Sequence, residues 1–103
     1  MSYKPLEITV DTPDDFQEMI ANKDFKICKS IVEGVLANIE TKKQHIHVLS
    51  VVNLEDNKIY DLTLDRRYFV ETLEDNLKHY ITQELYEECS KIVDIINILK
   101  ENK

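Results

Sequence analysis

Apolar and polar positions follow regular patterns along most of the chain and divide it into strands and helices. Between Leu6 and Val10 every second residue is apolar, which predicts a short strand with one buried face. Thr12 and Pro13 then suit the N-cap and the first turn of a short helix. A longer helix is predicted from about residue 24 to about residue 41, because its apolar residues recur at intervals of three and four.

Residues 45–65 predict a β-hairpin. The pair Asp56-Asn57 separates two runs rich in β-forming residues, and both residue types tolerate the positive φ that a tight turn requires. A two-residue loop would place Val51 opposite Leu62, whereas one more loop residue would slip the register and reverse the faces. We favour the two-residue loop because it gathers five apolar side chains on one face of the hairpin. These are Leu49, Val51, Tyr60, Leu62 and Leu64.

Two further helical stripes follow the hairpin. Asp65 is placed to cap a third helix, from about residue 66 to about residue 79, and Thr82 is placed to cap a fourth. The two could also run on as one kinked helix. The order strand, helix, helix, hairpin, helix, helix predicts a single α+β domain over residues 1–103. We expect the N-terminal strand to join the hairpin in a small three-stranded antiparallel sheet, packed against three to four helices.

The C-terminal helix is apolar around most of its circumference. A helix with this pattern must be buried on nearly all sides, which a terminal helix of a small monomer seldom achieves. It is therefore either the central helix of the fold or the contact to a second copy or to a different protein. The predicted interface residues are Leu85, Cys89, Ile92, Ile95, Ile96, Ile98 and Leu99.

Charge and composition narrow the classes of partner. A net charge of −7 weighs against nucleic acid, since DNA and RNA repel an acidic chain unless its basic residues cluster. No apolar run is long enough to span a membrane and the N-terminus lacks the pattern of a signal peptide, so we expect a cytoplasmic protein without a membrane partner. Cys28 and Cys89 fall on apolar stripes and are interpreted as buried free thiols, while a disulfide between them would require export.

Histidines and basic residues gather at the open end of the predicted hairpin. His45 and His47 point to the same side of a strand, but two histidines fall short of the ligand set that zinc requires, so we predict no metal site. In the favoured register His47 lies opposite Arg66, and the cations around them could hold an anion. The alternative is that these cations pair with Asp61 and Asp65. The candidate anion-binding residues, which we call the basic pole, are Lys42, Lys43, His45, His47, Arg66 and Arg67.

The sequence contains no recognisable catalytic motif. It lacks a Gly-rich phosphate loop, a G-x-S-x-G nucleophile elbow, a C-x-x-C pair and an H-E-x-x-H zinc motif, so we expect neither a cofactor nor an enzymatic activity. The leading hypothesis is a non-catalytic interaction or assembly protein, either a homodimer or an adaptor that binds a larger protein through the C-terminal helix. The alternative is an accessory protein that binds an anion or a nucleic acid through the basic pole.

Overall fold

The helices and strands follow the predicted order and build an α+β fold, which the computed structural model describes for residues 5–22 and 24–101. The remaining residues of the predicted domain lie outside this described part. The elements are β1 (Leu6–Val10), α1 (Pro13–Ala21), α2 (Phe25–Ala37), β2 (His45–Asn53), β3 (Lys58–Asp65), a 3-10 turn (Arg66–Tyr68), α3 (Phe69–Thr82) and α4 (Tyr86–Glu101).

The three strands form one sheet in the order β1-β2-β3, but the sheet is mixed rather than antiparallel throughout. Strand β1 runs parallel to β2, with Leu6 beside Leu49 and Val10 beside Asn53. The expectation of a wholly antiparallel sheet was therefore wrong for β1. The physical reason is that α1 and α2 form a crossover connection, which returns the chain to the end of the sheet where β1 began. Strand β2 is central, and β1 and β3 are edges.

The hairpin has a longer turn than predicted. Residues 54–57 form the turn, Asn57 has a φ of 56°, and Val51 pairs with Tyr60 instead of Leu62. This corrects the two-residue loop and its register. The pairing is displaced by two residues, so the predicted grouping of side chains on one face survives. A bulge between His47 and Leu49 then shifts the rest of the ladder, so that His47 lies opposite Thr63 and not opposite Arg66.

Local capping interactions fix the helix boundaries. Thr12 and Asp15 form a reciprocal capping box at the start of α1, with Pro13 in its first turn. Helix α2 ends at Ala37, earlier than predicted, and the Asn38 side chain donates a hydrogen bond back to the Gly34 carbonyl. Asp65 caps the 3-10 turn by accepting a hydrogen bond from the Arg67 backbone N–H, as the sequence predicted for the start of the third helical segment.

Helices α3 and α4 are separate. Glu84 has a φ of 59°, in the left-handed region that a continuous helix does not use, and the chain changes direction there. Thr82 belongs to the last turn of α3, where its hydroxyl donates to the Lys78 carbonyl, so the prediction that it caps α4 was wrong.

The core lies between one face of the sheet and the helices. Helix α2 packs on β2, α3 packs on α2, and α4 packs on α3. The largest side chains with almost no exposure are Phe69, Leu49, Leu73, Ile92, Val32 and Val35. Cys28 and Cys89 are buried free thiols, as predicted, and burial raises the pKa of Cys28.

Candidate functional site

The sheet face opposite the helices carries a hydrogen-bonded cluster of three polar side chains. His47 Nε2 lies 2.8 Å from Ser50 Oγ and 3.1 Å from the Leu49 carbonyl oxygen. The Ser50 hydroxyl donates to Asp61 Oδ1 at 2.8 Å. Strand pairing explains the cluster, because Ser50 and Asp61 are directly opposite each other on β2 and β3.

The direction of these hydrogen bonds argues against a nucleophilic serine. A carbonyl oxygen only accepts, so the contact with Leu49 places the proton of His47 on Nε2. The Ser50 proton is directed at a carboxylate, whereas an activated serine directs its proton at a basic nitrogen. In this arrangement the cluster ties β2 to β3, with Ser50 donating to Asp61.

The two histidines of the predicted H-x-H pair have different partners. His45 Nδ1 lies 3.7 Å from Asp65 Oδ2, and His47 Nε2 lies 3.5 Å from Asp61 Oδ1. Within residues 5–22 and 24–101, no three histidine, cysteine or carboxylate side chains come together in a way that could hold a metal ion. At these positions each histidine thus lies beside one carboxylate.

Arg66, the central residue of the basic pole, is already occupied by backbone carbonyls. Its Nη2 donates to Asn38 O and to Thr41 O, both at 2.7 Å, and its Nε donates to Lys43 O at 2.7 Å. A longer contact of 3.4 Å joins Nη1 to Ile39 O. The guanidinium therefore holds the connection between α2 and β2 in place. Its assignment as an anion ligand is not supported by this geometry.

The other members of the basic pole lie around Asp65 or point to solvent. Arg67 Nε lies 3.6 Å from Asp65 Oδ2, and its guanidinium stacks over Tyr68 at 5.0 Å from the ring centroid. The Arg67 backbone N–H first, and then the charges of Arg67 and His45, hold the pKa of Asp65 below its usual value. Lys42 and Lys43 are exposed. The residues of the basic pole therefore lie near one another. Arg66, Arg67 and His45 already have partners within the chain.

Helix α4 turns most of its predicted interface inward. Cys89, Ile92 and Ile96 are buried in the core of the same chain, but the outer side of the helix is exposed, so α4 is not the enclosed central helix of the first alternative. Leu85, Ile95 and Leu99 are partly buried against that core. Of the predicted set only Ile98 is exposed, at 43%. An intermolecular contact through α4 stays a prediction, and it would have to use the outer side of the helix.

Exposed apolar side chains also gather at β3, which the sequence had not singled out, besides Tyr86, Val93 and Ile98 on the outer side of α4. Ile59 is 65% exposed and Tyr60 is 47% exposed, and Leu54 in the adjoining turn is exposed as well. No described residue pairs with the outer edge of β3, because the sheet ends at this strand. The strand contains eight residues and no proline.

An apolar groove adjoins this edge on the side of the sheet that carries the helices. It has a volume of about 330 Å³ and lies between α1 and β3. Phe16 and Pro13 of α1 form one wall, Tyr60 and Leu62 of β3 form the other, and Val51 contributes to the floor. The groove exists because α2 covers β2 but leaves this part of β3 open. We call the outer edge of β3 together with this groove the β3 surface.

A hydrogen bond orients Tyr60 at the mouth of the groove. The Tyr60 hydroxyl donates to Asp56 Oδ2 at 2.5 Å. This bond lowers the pKa of Asp56 and raises the pKa of Tyr60 from their usual values. The ring therefore has a defined position, which leaves its apolar side available to a contacting molecule. The sequence signal for this site was the alternation of Tyr60, Leu62 and Leu64 in a strand that has a neighbour on one side only.

Comparison with known proteins does not assign a family. No family model matches the chain, and neither the curated proteins nor the solved structures contain a match. Among the described residues, no helix has both the length and the apolar character needed to cross a membrane. We therefore infer the function from the surface of the molecule itself.

Proposed function

We propose that this protein is a non-catalytic interaction protein that binds an extended segment of polypeptide along the β3 surface. The observation that carries the proposal is that β3 combines an unpaired outer edge with exposed Ile59 and Tyr60. The proposal keeps the class of function predicted from the sequence and moves its contact from α4 to β3.

The physical chemistry of strand addition supports this surface. An added strand receives main-chain hydrogen bonds from the free edge, and alternate side chains enter the pocket beside it. Exposed edges are usually protected by short length, by proline or by charged residues along the strand. The charged residues of β3 are Lys58, Asp61 and Asp65, and the apolar side chains of Ile59 and Tyr60 lie between the first two. The stretch at Ile59 and Tyr60 therefore lacks the usual protection against a partner strand.

Peptide selection followed by a binding measurement tests the proposal. A library of random peptides is selected against dilute immobilised protein, and selected peptides are titrated by fluorescence anisotropy. Peptides that bind the wild-type protein should lose about tenfold or more in affinity on Tyr60→Lys, because the substitution places a charge in the apolar groove. Ile98→Lys is the matched control, since Ile98 has similar exposure but lies on α4.

Two results would overturn this proposal. One is the absence of any enriched peptide, and the other is a set of peptides that bind Tyr60→Lys as tightly as the wild type. Loss of affinity on Ile98→Lys alone would return the contact to α4, as the sequence first suggested.

A further inference from the structure

We infer that the partner strand is β3 of a second copy of this chain, so that two three-stranded sheets join into one continuous six-stranded sheet. The inference rests on the proposed function, since it names the partner of the same β3 surface. It is carried by the self-complementary order of Tyr60, Leu62 and Leu64 along β3, in a register that places Ile59 opposite Asp65.

Symmetry limits how two copies of β3 can pair. A two-fold axis perpendicular to the sheet makes the two edge strands antiparallel and keeps the helices of both copies on one side. Side chains directly opposite each other must then lie on the same face. The axis must therefore pass between the two copies of one residue, which lie directly opposite each other. Within Lys58–Asp65, only axes through Asp61 or Leu62 allow the longest overlap, which extends over seven residues of each strand.

Repulsion between carboxylates favours the Leu62 register over the Asp61 register. An axis through Asp61 would place two carboxylates directly opposite each other, and like charges in that position destabilise a strand pair. An axis through Leu62 places the two Leu62 side chains together and puts Asp61 opposite Thr63 of the second copy. There the threonine hydroxyl can donate to the carboxylate. The Leu62 register therefore avoids the repulsion and gains a favourable polar pair.

The same register joins the two grooves. Tyr60 of one copy lies opposite Leu64 of the second, and the symmetric pair repeats this on the other side of Leu62. Six apolar side chains then form one row on the helix side of the joined sheet. Each copy thus covers apolar surface that the other leaves exposed, and the outer edges of both β3 strands become paired.

Light scattering on a size-exclusion column, from micromolar to millimolar protein, tests the association. The wild type should pass from monomer to dimer, and Tyr60→Lys should raise the dimer dissociation constant about tenfold or more, because a cation then faces Leu64. Ile98→Lys should leave the dimer unchanged. A wild type that stays monomeric overturns the inference, as does a dimer that Ile98→Lys breaks and Tyr60→Lys does not.

Disulfide trapping under mild oxidation tests the register. Leu62→Cys should form a covalent dimer on a non-reducing gel, because directly opposed Cβ atoms lie about 4.5–5.5 Å apart, close to the span of a disulfide. Asp61→Cys is the matched control, since its copies would be diagonal neighbours at about 7–8 Å. The native cysteines are buried, so the wild type should stay unlinked. Trapping of Asp61→Cys instead of Leu62→Cys would overturn the Leu62 register.

The two experiments separate the failure of the inference from the failure of the proposed function. If the wild type is monomeric but selected peptides still depend on Tyr60, the β3 surface binds a different polypeptide and only the homodimer is wrong. If the wild type is monomeric and no peptide depends on Tyr60, both proposals fail.

Discussion

Arg66 shows how a single residue can be assigned opposite roles by its sequence and by its structure. Two adjacent arginines at the start of a helical segment suggest a binding site for an anion. In the structure the Arg66 guanidinium instead donates hydrogen bonds to backbone carbonyl oxygens that follow α2. These carbonyls lie at the negative end of the helix dipole and lack partners within the helix. The guanidinium also lies 4.9 Å from the centre of the Phe69 ring, which is buried. Arg66 therefore connects the α2–β2 loop to the core.

We predict that Arg66→Lys lowers the free energy of unfolding by about 1–3 kcal/mol, because lysine cannot reproduce the planar set of donors that reaches several carbonyls at once. Arg67→Lys is the control, and it should change the same quantity by less than about 0.5 kcal/mol, since Arg67 makes an exposed ion pair. Urea denaturation followed by circular dichroism measures both. Equal stabilities of the two variants would mean that the carbonyl contacts contribute little.

Tyr80 supplies a prediction about alkaline pH. Burial first, and then nearby acidic groups, raise the pKa of Tyr80 to about 12, from 10.0. Because the folded state resists losing this proton and the unfolded state does not, the stability contribution is complete below pH 10 and is lost as the pH rises towards 12. Tyr80→Phe should therefore weaken the fall in stability between pH 10 and pH 12. Absorbance at alkaline pH and urea denaturation at several pH values measure the effect, and an unchanged profile would contradict it.

At the scale of elements, the sequence located caps and turns better than it predicted the pairing of strands. It placed the N-cap at Thr12 and a turn at Asp56-Asn57, although the turn has four residues and Thr82 does not cap α4. The direction of β1 depends on where a two-helix crossover delivers the chain, and the hairpin register depends on the four-residue turn and on the bulge between His47 and Leu49. Neither is recorded in the alternation of apolar residues, which stays the same when the register moves by two.

Helix α4 illustrates why an apolar pattern cannot distinguish burial within a chain from burial between chains. We predict that Ile92→Ala lowers the free energy of unfolding by about 2–5 kcal/mol, because it leaves a cavity in the core. Ile98→Ala, on the exposed side of the same helix, should cost less than about 1 kcal/mol. Chemical denaturation measures both. If Ile98→Ala were the costlier change, the outer side of α4 would have to be buried in an assembly.

At the scale of the whole molecule, the β3 surface arises from what the other elements leave uncovered. The sequence grouped Tyr60, Leu62 and Leu64 correctly on one face, but it could not show that α2 would cover β2 and leave part of that face open. The site also needs α1 as its second wall, and α1 reaches it only through the parallel placement of β1. No sequence motif marks a surface that is exposed because the other elements do not cover it. Predicting such a surface therefore requires the complete arrangement of the elements.

The net charge of the whole chain leads to a final prediction about salt. Two chains that each carry a charge of −7 repel each other, and added salt screens that repulsion within about 10 Å at 0.1 M. A dimer held by apolar side chains and main-chain hydrogen bonds of β3 should therefore become tighter as sodium chloride is raised from low to physiological concentration. Light scattering at several salt concentrations measures the dimer dissociation constant.

Binding of nucleic acid by the basic pole would respond in the opposite direction, because salt competes with phosphate contacts and weakens them steeply. The sign of the salt dependence thus distinguishes association through the β3 surface from binding through the basic pole without any substitution. A dimer that dissociates as salt is added would show that opposite charges hold the copies together. The contact would then join the basic pole of one copy to an acidic helix face of the other, and β3 would keep its free edge for a different partner.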